Sequence, residues 1–339
     1  MAFEYTGSTT RKPHSLLFVG GLGDGMATTS YMSSLVYALQ PTQWSLFTLN
    51  LSSSYQAWGL GHLDRDTTEV AQCIEYINEY KQVKFGGGKI VLMGHSTGSQ
   101  DVLHYLYRPN PHTSMPAFDK SLEHVKRPAV DGAIMQAPVS DREAIHWVLE
   151  KGIGGRSPSA CRVAYEKLIA IAQEAAAKDQ AGDILLPLDI TSEIGYPATH
   201  PVSCRRFLSL VSPESPHAPQ EDDLFSSDIS DEQLDKTFGM IHQQALLKYK
   251  LLVLPSGSDQ AVPDWVDKSA VLQKWRNAID RSGGSQIWDA ENSGPVPSAS
   301  HALSNDDQAE PRQYLVERVQ SYLDGLEKAL IPASAQTDS

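Results

Sequence analysis

A short apolar segment that leads into a glycine-flanked serine constrains this sequence more than any other feature. Residues 89–93 have the composition of a buried strand, residues 94–98 are Gly-His-Ser-Thr-Gly, and residues 99–107 have the pattern of a helix. A strand, a tight glycine turn and a helix together present a nucleophilic serine. We therefore predict Ser96 as a nucleophile, with the N–H of Thr97 facing the oxygen that becomes negative. The alternative is a structural glycine turn.

Composition limits the class of protein. The 339 residues are 41% hydrophobic and 20% charged, which is sufficient for one large α/β core. The 28 Lys and Arg against 41 Asp and Glu give a net charge of −13, which disfavours nucleic acid or an anionic membrane as a partner. Nothing in the composition indicates an oligomeric state.

Cysteine usage and hydropathy bear on the compartment. Cys73, Cys161 and Cys204 are far apart and form no Cys-x-x-Cys pair, so neither a disulfide framework nor a zinc site is indicated. The first residues do not have the pattern of a signal peptide, and no apolar run reaches membrane-spanning length. We therefore expect a cytoplasmic protein that does not span a membrane.

Candidate strands alternate with candidate helices through the first 107 residues. Buried strands are predicted at residues 15–19, 44–49 and 89–93, and the first dozen residues contribute at most a short edge strand. This alternation predicts an α/β fold with a mostly parallel central sheet and helices on both faces. Loops after the strands then meet on one face of the sheet, which brings residues 20–25 and 52–61 close to Ser96.

The glycine-rich loop at residues 20–25 allows three interpretations. It does not match the Gly-x-Gly-x-x-Gly pattern of a nucleotide-binding turn, and no P-loop lysine follows it. It can be a plain glycine turn. We favour a loop that supplies the second oxyanion N–H, from Leu22 or Gly23, because a nucleophilic serine in this context requires one.

Four residues are predicted to contact substrate. Tyr55 and Trp58 lie in the loop after the second buried strand, where their rings can form the wall of a pocket for a large ligand. For Trp58 a structural role beneath a cap is equally compatible with the sequence. Gly23 and His95, which adjoin the oxyanion loop and the nucleophile, complete the set.

The alternation stops after a strand candidate at residues 132–139. We predict a hydrolase core in residues 1–144 and 236–332, a cap in residues 145–235, and a disordered tail in residues 333–339. The acidic run at residues 221–223 can be a metal site, but a solvated loop or helix start is the more common use of such a run. No metal and no cofactor is expected.

The last third of the chain supplies the partners of the nucleophile. A strand at residues 250–254 precedes Asp259, and a last strand is predicted at residues 285–290, before His301. In sheets with this serine turn the acid and then the histidine follow the serine in sequence, which assigns Asp259 and His301. Asp141, after the preceding strand, is the alternative acid. Asp259 can also be a turn former, and His301 a surface residue.

These motifs resemble the α/β-hydrolase superfamily over nearly the whole chain. A narrower resemblance is to the fungal siderophore esterases, a family long catalogued as a domain of unknown function. The segments that carry it are residues 20–25, 51–55, 94–98, 136–142, 222–228 and 237–239. The resemblance implies an intracellular serine hydrolase that opens ester bonds of fusarinine-type hydroxamate siderophores, with Ser96, Asp259 and His301 as its triad. Gly20 departs from the superfamily, where many members have a histidine.

The function predicted is therefore that of a serine esterase acting through an acyl-enzyme. Its substrate is a small-molecule ester, for which a ferric siderophore is one candidate. Two alternatives remain open at this point. One is an acyltransferase or biosynthetic enzyme of the same fold, whose cap excludes water. The other is a binding protein that has lost catalysis, since a fold does not determine a function.

Overall fold

The computed structural model of the protein describes residues 1–6, 10–111, 122–123 and 125–329. Its strands are β1 (Ala2–Tyr5), β2 (His14–Val19), β3 (Trp44–Leu49), β4 (Ile90–His95), β5 (Gly132–Gln136) and β6 (Leu251–Leu254). They form one sheet in the order β1-β3-β2-β4-β5-β6, in which every neighbouring pair is parallel except β1 with β3. The predictions of a mostly parallel sheet and of a short edge strand near the N-terminus are confirmed.

Helices flank the sheet and fill the long connection between β5 and β6. Those in the described residues are α1 (Met32–Leu39), α2 (Leu63–Phe85), α3 (Thr97–Tyr107), α4 (Asp141–Lys151), α5 (Pro158–Ala177), α6 (Leu188–Thr191), α7 (Cys204–Val211), α8 (Asp231–Asp235), α9 (Ile241–Gln244), α10 (Lys268–Arg281) and α11 (Ala309–Ala329). Short 3₁₀ helices cover Tyr55–Leu60, Ser192–Ile194, Phe238–Met240 and Ser285–Ile287. Among these helices, none combines the length and the apolar character that crossing a membrane requires. The predicted disordered tail, residues 333–339, lies outside the described residues.

Side chains along the central strands alternate between two apolar layers. In β2, Leu17 and Val19 face one layer whereas Leu16 and Phe18 face the other, because successive Cβ atoms of a strand point to opposite faces. The first layer also contains residues of α2, α3 and α10, and the second contains residues of α1 and α11. Strands that are apolar throughout require this cover on both faces.

The prediction of a strand at residues 285–290 is wrong. Its first three residues form a 3₁₀ helix, and Trp288 makes only an isolated parallel bridge with Leu251 of β6. Further along the same edge the hydroxyl of Ser293 accepts the N–H of Val253 at 3.1 Å. A side chain thus takes the place of a main-chain acceptor, and a regular ladder does not form.

A third apolar cluster, distinct from the two layers of the sheet, joins residues of the segment between β5 and β6 to the 3₁₀ helix Tyr55–Leu60. Its members include Trp58, Ile145, Leu168 and Phe207. The end of the segment packs elsewhere, because Phe225 contacts Trp275 of α10 in the first layer, with ring centroids 5.2 Å apart. The division into a core of residues 1–144 and 236–332 and a cap of residues 145–235 stays a prediction.

The acidic run at residues 221–223 is not a solvated loop. Nη1 of Arg206 donates to both carboxylate oxygens of Asp222, at 2.7 and 2.8 Å, and Nε of Arg142 lies 3.0 Å from Asp223. All of these side chains are buried. A buried carboxylate needs a paired cation, so the two arginines account for the position of these acids inside the protein.

Candidate active site

Ser96 lies in a strained turn between β4 and α3. Its φ of 54° and ψ of −121° are unusual for a residue with a side chain, and its backbone N–H donates to the carbonyl of Gln136 at 3.0 Å. A Cβ on Gly94 would lie 2.0 Å from the carbonyl oxygen of Gly98, and a Cβ on Gly98 would lie 2.3 Å from that of Val19. Both glycines of the pentad are therefore required by close backbone contacts, as the sequence pattern predicts.

The three residues predicted to act together form a continuous hydrogen-bonded row. Nε2 of His301 lies 2.9 Å from Oγ of Ser96, and Nδ1 of His301 lies 2.8 Å from Oδ2 of Asp259. The second oxygen of Asp259 accepts the N–H of Ala261 at 2.9 Å, and the N–H of His301 donates to the side-chain oxygen of Gln260 at 2.9 Å. Both the acid and the base are thus held by further contacts in their loops.

Asp141, the alternative acid, has different surroundings. Its carboxylate accepts a hydrogen bond from Nε2 of Gln100 at 3.1 Å, at the start of α4. Burial, together with the nearby charge of Asp222, raises the pKa of Asp141 to about 6. His301 is oriented by Asp259 and not by Asp141.

The glycine loop is held against the serine. A Cβ on Gly21 would lie 2.7 Å from Cβ of Ser96, so only glycine allows this approach. The N–H of Gly21 donates to Oδ2 of Asp24 at 2.9 Å, and the hydroxyl of Thr28 donates to the other oxygen of Asp24 at 2.6 Å. The pattern of glycines did not indicate this aspartate, although its position inside a glycine loop is typical of a residue that accepts backbone N–H groups.

The two predicted oxyanion donors lie on one cavity. Leu22, which follows Gly21, and Thr97, which follows Ser96, are both among its lining residues. Thr97 is the first residue of α3, where backbone N–H groups have no partner within the helix. Gly23 has a φ of 79°, which side-chain-bearing residues rarely adopt, and an added Cβ would meet no atom within 4 Å. The backbone conformation, and not a lack of space, therefore favours glycine at this position.

Tyr55 packs on the glycine loop. A Cβ on Gly25 would lie 2.0 Å from the ring of Tyr55, and the Tyr55 hydroxyl accepts the N–H of Met26 at 2.9 Å. The residue as a whole is 42% exposed. Tyr55 therefore supports the loop that contains Leu22, and its exposed edge faces solvent.

Trp58 takes part in both of the roles that the sequence left open. Its side chain is only 5% exposed and belongs to the third apolar cluster, where it meets Tyr196 edge-on with ring centroids 5.3 Å apart. It also lines the cavity that Leu22 and Thr97 share. The residue thus joins the loop after β3 to the helices of the predicted cap.

His95 is buried and has a partner inside the protein. Its Nδ1 lies 2.5 Å from Oε1 of Gln136, and its ring centroid lies 5.2 Å from that of His301. Burial and the proximity of His301 lower the pKa of His95 to about 4, so its ring is neutral at neutral pH. This placement favours support of His301 over the contact with substrate that we predicted.

Gln136, at the end of β5, has a role that the sequence did not reveal. Its side-chain oxygen accepts the hydroxyl of Tyr31 at 2.9 Å and faces His95, and its Nε2 donates to Ser256 at 3.2 Å. Its main-chain carbonyl accepts the N–H of Ser96. A polar residue at the end of an apolar strand is the signal that could have identified it.

One group of side chains in the described part of the chain has the spacing of metal ligands. One ligand atom from each of His62, Asp64 and Glu221 lies within 4.8 Å of the others. Both carboxylates also serve other groups, because Asp64 contacts Nε2 of His104 at 2.7 Å and Glu221 accepts the N–H groups of Leu63 and Asp64 at 3.2 Å. This group lies on α2 and the acidic run and is not part of the Ser96 row.

Known proteins resemble this chain along its length. A family model described as "Protein of unknown function (DUF1749)" matches residues 1–324. The fusarinine C esterase sidJ of Aspergillus fumigatus is 68% identical over 334 residues, which cover 97% of this chain and 94% of that protein. An esterase of Emericella nidulans is 49% identical over 342 residues, which cover 96% and 90% of the two chains.

Solved structures agree with these sequence relatives. The siderophore hydrolase EstB from Aspergillus fumigatus has a TM-score of 0.85 and 66% identity, over 96% of this chain and 94% of that one. An α/β-hydrolase fold protein of unknown function has a TM-score of 0.55 at 15% identity. At this low identity the likeness shows a similar fold and nothing more. The predicted fold is confirmed, and so is the resemblance that the motifs indicated. The chain belongs to the family described as "Protein of unknown function (DUF1749)", and its fold is that of the α/β hydrolases.

Proposed function

We propose that this protein is a serine esterase that hydrolyses ester bonds of a fusarinine-type siderophore. The observation that carries the proposal is the row formed by Ser96, His301 and Asp259, with contacts of 2.9 and 2.8 Å. The choice of substrate is supported by two relatives above 60% identity whose names are fusarinine C esterase and siderophore hydrolase. The two likenesses cover 97% and 96% of this chain.

Each member of the row has a defined task in ester hydrolysis. Oγ of Ser96 attacks the ester carbonyl while Nε2 of His301 takes its proton, and Asp259 holds the proton on Nδ1 and stabilises the imidazolium. The N–H groups of Thr97 and Leu22 stabilise the oxygen that becomes negative. His301 then protonates the leaving alcohol, and water, activated by the same imidazole, releases the acid from Ser96.

The surroundings of the row suit this chemistry. The strained backbone of Ser96 and the fit of Gly21 against it bring the nucleophile and the glycine loop together. Burial keeps His95 neutral, so no second positive charge opposes protonation of His301. We also propose that the protein acts in the cytoplasm, since its three free cysteines are all buried and unpaired.

The proposal is tested with purified protein and a set of esters. The set contains an iron-free and a ferric fusarinine-type trilactone and a small acetate ester, and the products are identified by mass spectrometry. In water enriched in ¹⁸O, hydrolysis places one ¹⁸O atom in the released acid, whereas acyl transfer to an added alcohol or amine places none. We expect ¹⁸O in the ring-opened siderophore. A protein that cleaves no ester, or that passes the acyl group to an acceptor, would contradict the proposal.

A further inference from the structure

A cavity beside the predicted oxyanion donors contains more acid than base. Besides Leu22 and Thr97, its walls include Asp24, whose carboxylate already accepts hydrogen bonds within the glycine loop, and three more deeply buried ionisable residues, Asp66, Asp101 and Arg206. These three ionisable residues come from three different helices, α2, α3 and α7, and each is at most 2% exposed. The cavity is thus bounded by the sheet domain on one side and by a helix of the β5–β6 connection on the other.

Asp101 is positioned by the helix that begins at the nucleophile. Thr97 and Asp101 are four residues apart in α3, so their side chains lie on one face of the helix. One turn of an α-helix is about 5.4 Å long. A group bound at Asp101 would therefore lie only a few bonds from a carbonyl held by the N–H of Thr97.

Asp101 also lacks a partner. Its Oδ1 is completely buried and makes no hydrogen bond with any of the described residues. By comparison, the neighbouring Asp66 accepts the hydroxyl of Ser53 at 2.8 Å. A buried carboxylate oxygen without a donor is costly, and Asp101 is among the residues that line the cavity. A ligand with a hydrogen-bond donor could therefore provide the partner that Asp101 lacks within the protein.

The charge balance of the cavity indicates which kind of donor fits. Arg206 is the one basic residue among the described residues that line the cavity, and it is already paired with Asp222, which does not line it. Within the described chain neither Asp66 nor Asp101 has an ion pair of its own. Burial is the main cause that raises the pKa of Asp66 to about 7 and that of Asp101 above its ordinary range. Nearby carboxylates add to this effect, and the charge of Arg206 offsets it only in part. A cation in the cavity would relieve this repulsion.

We propose that this cavity binds a primary ammonium group of the substrate, a few bonds from the scissile ester, with Asp101 as the residue that selects for it and Asp66 as a second acceptor. The ammonium group offers three donors and one positive charge, which matches two buried carboxylates of which one has no partner. The inference rests on the proposed function, because it takes Ser96 as the nucleophile.

The test uses pairs of esters that differ only in the charged group. L-Alanine methyl ester and methyl isobutyrate differ by an ammonium in place of a methyl on the acyl side. Trans-4-aminocyclohexyl acetate and trans-4-methylcyclohexyl acetate carry the same difference on the alcohol side. We expect Asp101→Asn to lower kcat/KM for one ammonium ester about 10- to 100-fold, and to change its neutral counterpart by less than about threefold. The pair that responds tells which side of the ester enters the cavity.

Asp141→Asn is the matched control. It removes another buried carboxylate from the same region, but Asp141 does not line the cavity. This variant should keep the wild-type ratio between ammonium and neutral esters. An independent binding measurement uses a fluorophosphonate that labels Ser96. Propylammonium should slow the labelling of wild type and of Asp141→Asn but not of Asp101→Asn, and 1-propanol should slow none of them.

Two kinds of failure can be told apart. If Asp101→Asn lowers kcat/KM equally for both members of each pair, the ammonium site is overturned. The same holds if propylammonium slows the labelling of Ser96 no more than 1-propanol does. Neither result contradicts the proposed esterase activity. If the fluorophosphonate does not label Ser96 in the wild-type protein, the proposed function is overturned instead. Melting temperatures of the two variants show whether either one is misfolded, and Asp66→Asn, which should give a smaller selective loss, replaces Asp101→Asn in that case.

Discussion

Nε2 of His301 lies 2.9 Å from Oγ of Ser96, although 205 residues separate the two in the chain. The serine follows β4, whereas the histidine lies in the loop that precedes α11, beyond the whole β5–β6 connection. The parallel sheet brings them together, because the C-terminal ends of its strands meet at one edge. The contact therefore depends on correct folding of both ends of the chain.

Replacing Ser96, the proposed nucleophile, should abolish turnover and leave the fold intact. Ser96→Ala removes the attacking oxygen, and we expect a loss of roughly 10⁴-fold or more in ester turnover. Its circular dichroism and melting temperature should stay close to those of the wild type. A fluorophosphonate should label the wild-type protein at Ser96 alone, as read by peptide mass spectrometry. Labelling at another serine would contradict this assignment.

The two acids should differ sharply in their effect on catalysis. Asp259→Asn should lower kcat by about 10⁴-fold, because an amide opposite Nδ1 favours the wrong tautomer of His301. Asp141→Asn should cost far less, since its carboxylate contacts Gln100 and not the imidazole. Steady-state kinetics on one ester measure both. The reverse order of effects would assign the acid to the earlier strand.

Asp141 should instead affect how the free energy of unfolding depends on pH. Its pKa is raised to about 6 in the folded protein, against an ordinary value of 3.8, mainly because it is buried. The folded state then holds this proton more tightly than the unfolded state does. The contribution of Asp141 to the free energy of unfolding is thus lost as the pH rises from 3.8 through about 6.

Urea unfolding of wild type and Asp141→Asn at pH 5 and pH 8 measures this effect. Asparagine has no proton to lose, so the variant should gain stability relative to the wild type at the higher pH. The gain should shrink at pH 5. An equal difference between the two proteins at both pH values would show that ionisation of Asp141 is not responsible.

Trp58 should contribute both to stability and to catalysis. Trp58→Ala removes a buried ring from the third apolar cluster, and we expect a loss of about 3–5 kcal/mol in the free energy of unfolding. We expect turnover of a bulky siderophore ester and of a small acetate ester to fall to a similar extent. The reason is that loss of the ring should displace the segment Tyr55–Leu60, which adjoins the cavity. Trp58→Phe, which keeps a ring, is the control and should recover most of both. A loss confined to the bulky ester, with an unchanged melting temperature, would make Trp58 a pocket wall only.

Local patterns predicted the parallel sheet and the turn that contains Ser96. The serine turn, the order of acid and histidine, and the parallel sheet follow from backbone sterics and from strand periodicity, which are properties of short segments. The sequence alone left Asp141 as an alternative to Asp259, because each aspartate follows the end of a strand and only the position of His301 in space distinguishes them.

The features that sequence reasoning missed depend on contacts between distant segments. The acidic run at residues 221–223 has the composition of a solvated loop, but arginines of α4 and α7, which are distant in sequence, pair with Asp223 and Asp222 inside the protein. The strand predicted at residues 285–290 has the right composition, but Ser293 occupies the hydrogen bond that would extend it. Gln136 acts through three partners from other parts of the chain, which no local pattern reveals.

The segment Tyr55–Leu60 packs against the helices of the β5–β6 connection and so holds them on the sheet domain. Besides the packing of Trp58 described above, the carbonyl of Gly59 accepts the N–H of Ser203 at 2.9 Å, and a Cβ on Gly59 would lie 2.1 Å from the carbonyl oxygen of Pro201. A chimera that exchanges the β5–β6 connection between two members of this family would separate these partners. The exchangeable unit is therefore discontinuous, and a graft of the connection has to include the donor's 3₁₀ segment after β3 if the new helices are to seat above Ser96.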